Sequence, residues 1–411
     1  MNLLILIFVM LFVLSFTDFL LVKDERMHKY LYHLAFGLTF FLFTIKYYYG
    51  ADMVLYVTSF DAVETPLELL KGSRKGFMFE AGFMYFMSTL KWLGVSYWGM
   101  TALISVVYFY ALYKLFKYIP KYRILALFVL VVLDYNLIFA THRQCLAVSF
   151  FILLFLAYIN RKYIKVLIYA VLMLSIHKSG FVFLFPSLIF WSLHIYIKRE
   201  SYWICLAIML VFALLPLRQL YDWAVHALPI SGSLKSSLIY HGVFFARFQS
   251  ILILYTLVFV ILALYTTKEP VYKKMSVIVF LGAITIALFY QSFATLWRLR
   301  SYFLPFLVVY IFYVIYESQQ RDALNVSQFV RPVRNILVTL SVGFILAYCA
   351  YLSYQSHRMM NALTSGIYDT CTVFDLLHKS SREIKRERMY RATKYWHFDN
   401  RADYATYKNN K

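Results

Sequence analysis

Long apolar runs recur from one end of this chain to the other, and they constrain its fold more than any other feature. A run of about 20 apolar residues is long enough to cross the hydrocarbon core of a bilayer as an α-helix. Hydrophobic residues make up 62% of the sequence and aromatic residues 20%, whereas soluble domains are about 45–50% apolar. We therefore predict an all-α, polytopic integral membrane protein, a helical bundle without a soluble domain.

The apolar runs predict about twelve spans. They cover residues 3–22, 30–49, 97–117, 123–140, 144–160, 163–176, 181–197, 202–217, 250–266, 275–290, 299–316 and 335–352. The first run has no charged segment before it and no small-residue cleavage site after it, so we interpret it as a retained span and not as a signal peptide. Residues 79–93 are only about 15 residues, too few for a crossing. We predict a short re-entrant or interfacial helix there.

Polar segments complete the predicted organisation. We expect one transmembrane helical domain over residues 1–355, with external loops at 50–78 and 218–248. A polar, basic C-terminal tail follows over residues 356–411. The segment 367–377 is the one place where this tail would re-enter the membrane, although it is polar for a span.

Lysine and arginine predict the orientation of the chain. The formal net charge is +21, but most of these residues lie in short loops, where they mark the cytoplasmic side and meet anionic lipid headgroups. Six basic loops share one side if residues 79–93 do not cross: Lys23, Arg26 and Lys29; Lys117, Lys121 and Arg123; Arg161, Lys162 and Lys165; Lys198 and Arg199; Lys268, Lys273 and Lys274; Arg321, Arg331 and Arg334. Both termini are then external. The basic tail alone favours the opposite side, and we prefer the model that satisfies six loops. With no compact basic domain, we expect membrane lipid and no nucleic acid as a partner.

The sequence carries no cofactor signature. The four cysteines, Cys145, Cys205, Cys349 and Cys371, are scattered and have neither disulfide nor metal-ligand spacing. We find no HExxH motif, no Walker loop and no Rossmann fingerprint. We therefore expect no metal and no cofactor.

Polar clusters flank two neighbouring runs at what is predicted to be one membrane face. His142-Arg143-Gln144 precedes one run, and His177-Lys178-Ser179 follows the next. Because the first run descends and the second returns, the two clusters meet at the same face. Charged groups at a membrane boundary are costly, so they suggest a functional site.

The same predicted external face receives Asp52, Glu80, Arg298 and Arg300. Guanidinium groups bind phosphate oxygens bidentately, and several at one depth would suit a lipid-linked diphosphate. His177, Asp52 and Glu80 are candidates for proton transfer. Structural explanations are also open: an arginine that snorkels to a headgroup, a histidine that caps a helix, or a glutamate that pairs with a nearby cation.

At these residues the chain resembles the EpsG family of Wzy-like exopolysaccharide polymerases. The similarity is carried by short motifs in order over about residues 45–370: Tyr48-Tyr49-Gly50-Ala51-Asp52 with Tyr56, Phe79-Glu80-Ala81-Gly82-Phe83, Arg143-Gln144, Ser175-Ile176-His177-Lys178-Ser179, Arg298 to Phe303, and Ile367-Tyr368. The resemblance implies a multi-pass protein of the cytoplasmic (inner) membrane. It would polymerise undecaprenyl-diphosphate-linked oligosaccharide repeat units into surface polysaccharide, capsule or O-antigen at the outer face. A GT-C-like fold and partners such as a chain-length regulator and other export proteins are compatible with it.

Under this hypothesis Arg143, Arg298 and Arg300 bind the diphosphate, and His177 or a carboxylate, Asp52 or Glu80, removes the acceptor proton. We expect five further residues to contact the glycan or support the site: Gln144, His142, Tyr56, Lys178 and Tyr302. Two other classes stay open. A repeat-unit flippase or transporter should show internal repeats and midplane charges, and a membrane O-acyltransferase would also use an intramembrane histidine.

Overall fold

The computed structural model describes residues 2–20, 25–50, 52–72, 79–198, 200–214, 269–289, 293–325 and 364–395, together with the single positions 219, 223 and 227. The chain divides into two compact units. The first comprises Met1–Lys117, Tyr122–Lys178 and Cys349–Lys411, and the second comprises Tyr118–Lys121 and Ser179–Tyr348.

The described elements are helices. In chain order they are α1 (Leu3–Ser15), α2 (Thr17–Leu20), α3 (Glu25–Thr44), α4 (Met53–Ala62), α5 (Pro66–Leu70), α6 (Ala81–Trp92), α7 (Tyr97–Phe116), α8 (Arg123–Phe139), α9 (His142–Ile159), α10 (Tyr163–Ile176), α11 (Phe181–Ser192), α12 (Glu200–Leu214), α13 (Pro270–Phe289), α14 (Phe293–Asn325) and α15 (Ser381–Tyr395). Two 3₁₀-helices cover Lys178–Gly180 and Val373–Leu377.

Four segments of the described chain are long and apolar enough to cross a membrane: Tyr97–Phe116, His142–Ile159, Pro270–Leu288 and Leu299–Glu317. Shorter apolar helices accompany them. The prediction of an all-α membrane protein is therefore confirmed. The count of about twelve spans stays a prediction, since the runs 250–266 and 335–352 and nearly all of the loop 218–248 lie outside the described residues.

The second predicted span, 30–49, is wrong at its C-terminal end. The helix α3 ends at Thr44, and the chain then turns through Tyr48 at φ 45° and Gly50 at φ 96°. Left-handed backbone cannot continue an α-helix. A Cβ on Gly50 would lie 2.4 Å from the Phe139 carbonyl oxygen, so only glycine fits this turn.

The predicted external loop 50–78 contains two helices, α4 and α5. Helix α5 begins with Pro66 and a capping box, in which the side chains of Thr65 and Glu68 each bond to the other's backbone amide. The Trp98 indole donates to the Thr44 carbonyl at 3.1 Å, so α3 ends beside the start of α7. The segment between them therefore leaves and returns at one end of the first unit, and we call this the capped end.

Helix α6 has 12 residues, and at 1.5 Å per residue it is about 18 Å long, well short of the hydrocarbon core of about 30 Å. It packs on the loop before α5, where Ser88 Oγ donates to the Glu64 carbonyl at 2.5 Å. Lys91 Nζ donates to the carbonyl of Val63 at 2.9 Å. These contacts hold α6 at the capped end, and its re-entrant or interfacial position stays a prediction.

Part of the predicted polar tail is folded against the capped end. We call residues 364–395 the C-terminal strap. The amide of Leu3 donates to the Tyr368 carbonyl at 2.8 Å, and that of Tyr47 donates to the Cys371 carbonyl at 3.0 Å. Within the strap the buried Arg388 donates to three backbone carbonyls: Gly366, Asp369 and Thr370. A buried arginine of the basic tail thus closes the strap.

The second unit is organised around the packing of α13 on α14. A Cβ on Gly282 would lie 2.3 Å from the Phe303 ring, so a residue without a side chain lets the two helices approach closely. The Trp191 indole donates to the Lys274 carbonyl at 2.9 Å, which ties α11 to α13. The hydroxyl of Tyr202 in α12 donates to the Ser276 carbonyl at 3.3 Å.

Candidate functional site

Glu80 is the centre of the polar cluster at the capped end. Its Oε2 accepts a hydrogen bond from Arg143 Nη1 at 2.5 Å. Its Oε1 accepts from the backbone amide of Lys178 at 3.2 Å and lies 3.4 Å from Nδ1 of His177. One carboxylate therefore connects the two clusters that the sequence placed at a common face, and both of its oxygens are engaged.

The packing of α6 on α10 sets this geometry. Glu80 is the N-cap residue of α6, and His177 ends α10 in an extended conformation, φ −151° and ψ 108°. A Cβ on Gly82 would lie 2.5 Å from Ser175 Oγ and 2.6 Å from the Ser175 carbonyl oxygen. The two helices can meet this closely only because residue 82 is glycine, and the contact brings Glu80 to His177.

The electrostatics of Glu80 are dominated by its partners. Burial raises the pKa of the Glu80 carboxyl, but the neighbouring His177 ring and the charge of Arg143 outweigh burial and lower the pKa to about 2. Glu80 is thus ionised at neutral pH, and the predicted alternative that it pairs with a nearby cation describes what the structure shows.

Arg143 is held by aromatic contacts as well as by Glu80. Its guanidinium lies 4.9 Å from the centroid of the Phe79 ring, within the range of a cation–π interaction. Its backbone amide donates to the hydroxyl of Tyr56 at 3.4 Å. The Arg143 side chain is about one-fifth exposed, so it is oriented by the protein and still reachable at the start of α9.

Tyr56 is buried and packs between other rings. It stacks on Phe79 with centroids 5.2 Å apart and lies 5.0 Å from the His142 ring. Burial raises the pKa of the Tyr56 hydroxyl. Tyr56 is therefore enclosed by aromatic rings, and its hydroxyl contacts the backbone of Arg143.

The remaining predicted site residues of the first unit occupy three kinds of position. His142 and Gln144 are buried in the first turn of α9. Asp52 is the half-buried N-cap residue of α4, and its carbonyl accepts from the Tyr56 amide at 3.3 Å. Lys178 has an exposed side chain, and it is its backbone that contacts Glu80.

Arg298, Arg300 and Tyr302 belong to the second unit. Helix α14 begins at Phe293, and the segment of it that is apolar enough to cross a membrane runs over Leu299–Glu317. The two arginines therefore stand at the start of that segment. Arg300 is half-buried. Tyr302 is buried, stacks on Phe183 at 5.9 Å and accepts a hydrogen bond from Ser179 Oγ at 3.4 Å. The side chain of Arg298 lies outside the described part of the chain, and the meeting of these arginines with Arg143 stays a prediction.

Sequence reasoning missed two contributors at the capped end. In the sequence Phe79 stands out only as part of a motif, yet its ring packs against the Arg143 guanidinium. Lys46 was placed inside a predicted span, whereas it is buried just beyond α3, 5.4 Å from the Phe139 ring centroid. The position of Asp134 inside an apolar run favours contact with a neighbouring helix. The residue is buried, and its non-helical φ and ψ interrupt α8.

In the part of the chain that the structure describes, no group of three or more histidine, cysteine, aspartate or glutamate side chains is arranged to hold a metal ion. The cluster at the capped end consists of one carboxylate, one guanidinium and one imidazole. Such a set can bind an anion and transfer a proton.

Comparison with known proteins agrees with the resemblance seen in the motifs. The model of the EpsG family matches residues 29–365, which is most of the chain and includes every candidate site residue discussed above. Searches of curated proteins and of solved structures find no match. The chain therefore belongs to the EpsG family, the family of Wzy-like polysaccharide polymerases.

Proposed function

We propose that this protein joins lipid-diphosphate-linked oligosaccharide repeat units into a polysaccharide at the outer face of the cytoplasmic membrane. The observation that carries the proposal is the Arg143–Glu80–His177 cluster at the capped end. It combines a reachable cation for the diphosphate with a histidine whose ring is oriented by a carboxylate. Family membership supplies the class of reaction, and the cluster supplies groups that can perform it.

The distribution of basic residues supports the outer placement. Helix α9 begins at the capped end with His142 and has 18 residues, so its far end lies about 27 Å away. There Arg161 and Lys162 form the exposed turn into α10. Since basic turns mark the cytoplasmic side, the capped end would face outward. A bundle of about twelve spans with both termini outside fits this orientation.

In the proposed mechanism His177 is the base. Glu80 Oε1 lies 3.4 Å from Nδ1, and the negative carboxylate there would favour the tautomer that has the proton on Nδ1 and the lone pair on Nε2. The acceptor hydroxyl oxygen attacks the anomeric carbon of the donor sugar, its proton moves to Nε2, and the bond from that carbon to the diphosphate oxygen breaks. Glu80, whose pKa is about 2, is too weakly basic for this role at neutral pH. It acts as a positioning residue for His177 and Arg143, and Asp52 is the alternative base.

The leaving lipid diphosphate gains negative charge, which Arg143 would stabilise. A positioned donor of this kind is worth about 3–4 kcal/mol in acyl-transfer enzymes. Arg298 and Arg300 would bind the same diphosphate, with Gln144, His142, Lys178 and Tyr302 as neighbours of the glycan. The donor and acceptor partners are undecaprenyl-diphosphate-linked oligosaccharides, and a chain-length regulator and export proteins would act with the enzyme.

The test is reconstitution of the purified protein with lipid-linked repeat units. Chain growth supports the proposal, whereas translocation without growth identifies a flippase and acylation identifies an O-acyltransferase. The variant His177→Gln retains a neutral hydrogen-bonding side chain. It should bind donor but lose about 10²–10⁴-fold in transfer rate if His177 is the base. A fully active His177→Gln enzyme would assign the base to Asp52.

A further inference from the structure

We propose that the 3₁₀-helix Val373–Leu377 of the C-terminal strap is an anchor that inserts into the headgroup layer of the membrane. Its exposed side chains are large and apolar. Phe374 is 53% exposed, Leu376 is 39% exposed and Leu377 is 78% exposed. In a 3₁₀-helix, residues three apart lie on the same face, so Phe374 and Leu377 form one outward apolar surface.

Backbone hydrogen bonds place this surface at the membrane boundary. The amide of Val373 donates to the carbonyl of Ile45 at 2.8 Å, and Lys46 pairs with Thr372 in an isolated bridge. Ile45 is the residue that follows α3, a helix of 20 residues. The last residue of α3, Thr44, accepts a hydrogen bond from the Trp98 indole at 3.1 Å, and Trp98 lies in the first turn of α7, a helix long and apolar enough to cross a membrane. The 3₁₀-helix therefore begins beside one end of a candidate membrane span.

The residues that follow carry the charge that an anionic lipid surface would attract. Arg382 and Arg386 are exposed on the first turns of α15. Interfacial anchors combine apolar side chains with exposed cations. They bind the membrane surface because the apolar side chains are buried in it and the cations are attracted to anionic headgroups. The occupant that fits this surface is the bilayer itself.

The anchor is joined to the turn that leads into the candidate site. Tyr49 Oη donates to the Tyr368 carbonyl at 2.6 Å, and Tyr47 Oη lies 2.8 Å from Ser381 Oγ. An inserted anchor would therefore hold the turn before Asp52 at headgroup depth. The anchor does not rest on the proposed function, because its insertion can be measured without any substrate.

Site-directed spin labelling in lipid nanodiscs tests the proposal. A label at Leu377→Cys should collide more often with oxygen, which concentrates in the bilayer, than with a water-soluble nickel chelate. A label at Glu383→Cys, exposed on the first turn of α15, should show the opposite order. The unsubstituted protein supplies the background from the natural cysteines. Including anionic lipid in the nanodisc should deepen the Leu377 label further.

Two outcomes would overturn the anchor. A Leu377 label as accessible to the nickel chelate as the Glu383 label would place this surface in water. A label shielded from both reagents would mean that a protein covers it. As a second measurement, Leu377→Glu should increase amide exchange over residues 381–395 in liposomes, and the matched variant Leu377→Met should not. Equal exchange in the two variants would also contradict insertion.

Discussion

A single carboxylate organises the candidate site at the scale of residues. Glu80 accepts from Arg143 and from the Lys178 amide and lies beside His177. Each contact favours the ionised form of Glu80, and together they outweigh the cost of burial. A carboxylate with this set of partners orients the groups around it.

The pH dependence of stability follows from the lowered pKa of Glu80. Because the pKa falls from 4.5 to about 2 in the folded protein, the ionised carboxylate stabilises the fold above pH 4.5, and this contribution is lost as the pH falls towards about 2. We therefore expect Glu80→Gln to lower Tm by a constant amount between about pH 6 and 8. The difference from the unsubstituted protein should shrink below pH 4.5, as measured by thermal melts in detergent.

The control is Glu64→Gln, since the side chain of Glu64 is exposed. Its effect on Tm should be small at every pH. A Tm difference for Glu80→Gln that stayed constant down to about pH 2 would show that the carboxylate is not held ionised by its partners.

At the scale of elements, the contact between α6 and α10 decides whether the site forms. Gly82 and Ser175 meet so closely that a methyl group has no room. Gly82→Ala should therefore push α6 away from α10 and separate Glu80 from His177. We expect a loss of about 1–3 kcal/mol in stability, which is typical of overpacking, together with a severe loss of polymer formation.

Gly37 provides the matched control for this prediction. It is also a helical glycine, in α3, but nothing lies within 4 Å of the position that its Cβ would occupy. Gly37→Ala should be neutral or stabilising, because alanine is the better helix former by up to about 1 kcal/mol. If both alanine variants retained full stability and activity, the close approach of α6 and α10 would not matter for the site.

The whole molecule is predicted to have a charge asymmetry along the membrane normal. Asp61 lies at the capped end, where Lys385 of the strap pairs with it at 2.5 Å, and Lys162 lies in the exposed turn beyond α9. A cysteine at Asp61 should react with a membrane-impermeant thiol reagent added to intact cells, and one at Lys162 should react only after the cells are opened. Reversed labelling would invert the proposed orientation and place the candidate site on the cytoplasmic side.

The apolar runs by themselves determined the membrane-embedded helical class, because the hydrocarbon core imposes length and hydropathy on each span separately. The sequence also determined which polar residues stand at span ends, including Arg143 and His177. It placed Glu80 at the same face, but it did not show that one carboxylate lies against both Arg143 and His177, that residues 364–395 fold back on the capped end, or that α3 stops at Thr44. Those features depend on contacts between residues far apart in the chain, such as Glu80 with Arg143, 63 positions away. Only tertiary packing decides such contacts, since a glycine that admits a neighbouring helix looks the same in sequence as one that does not.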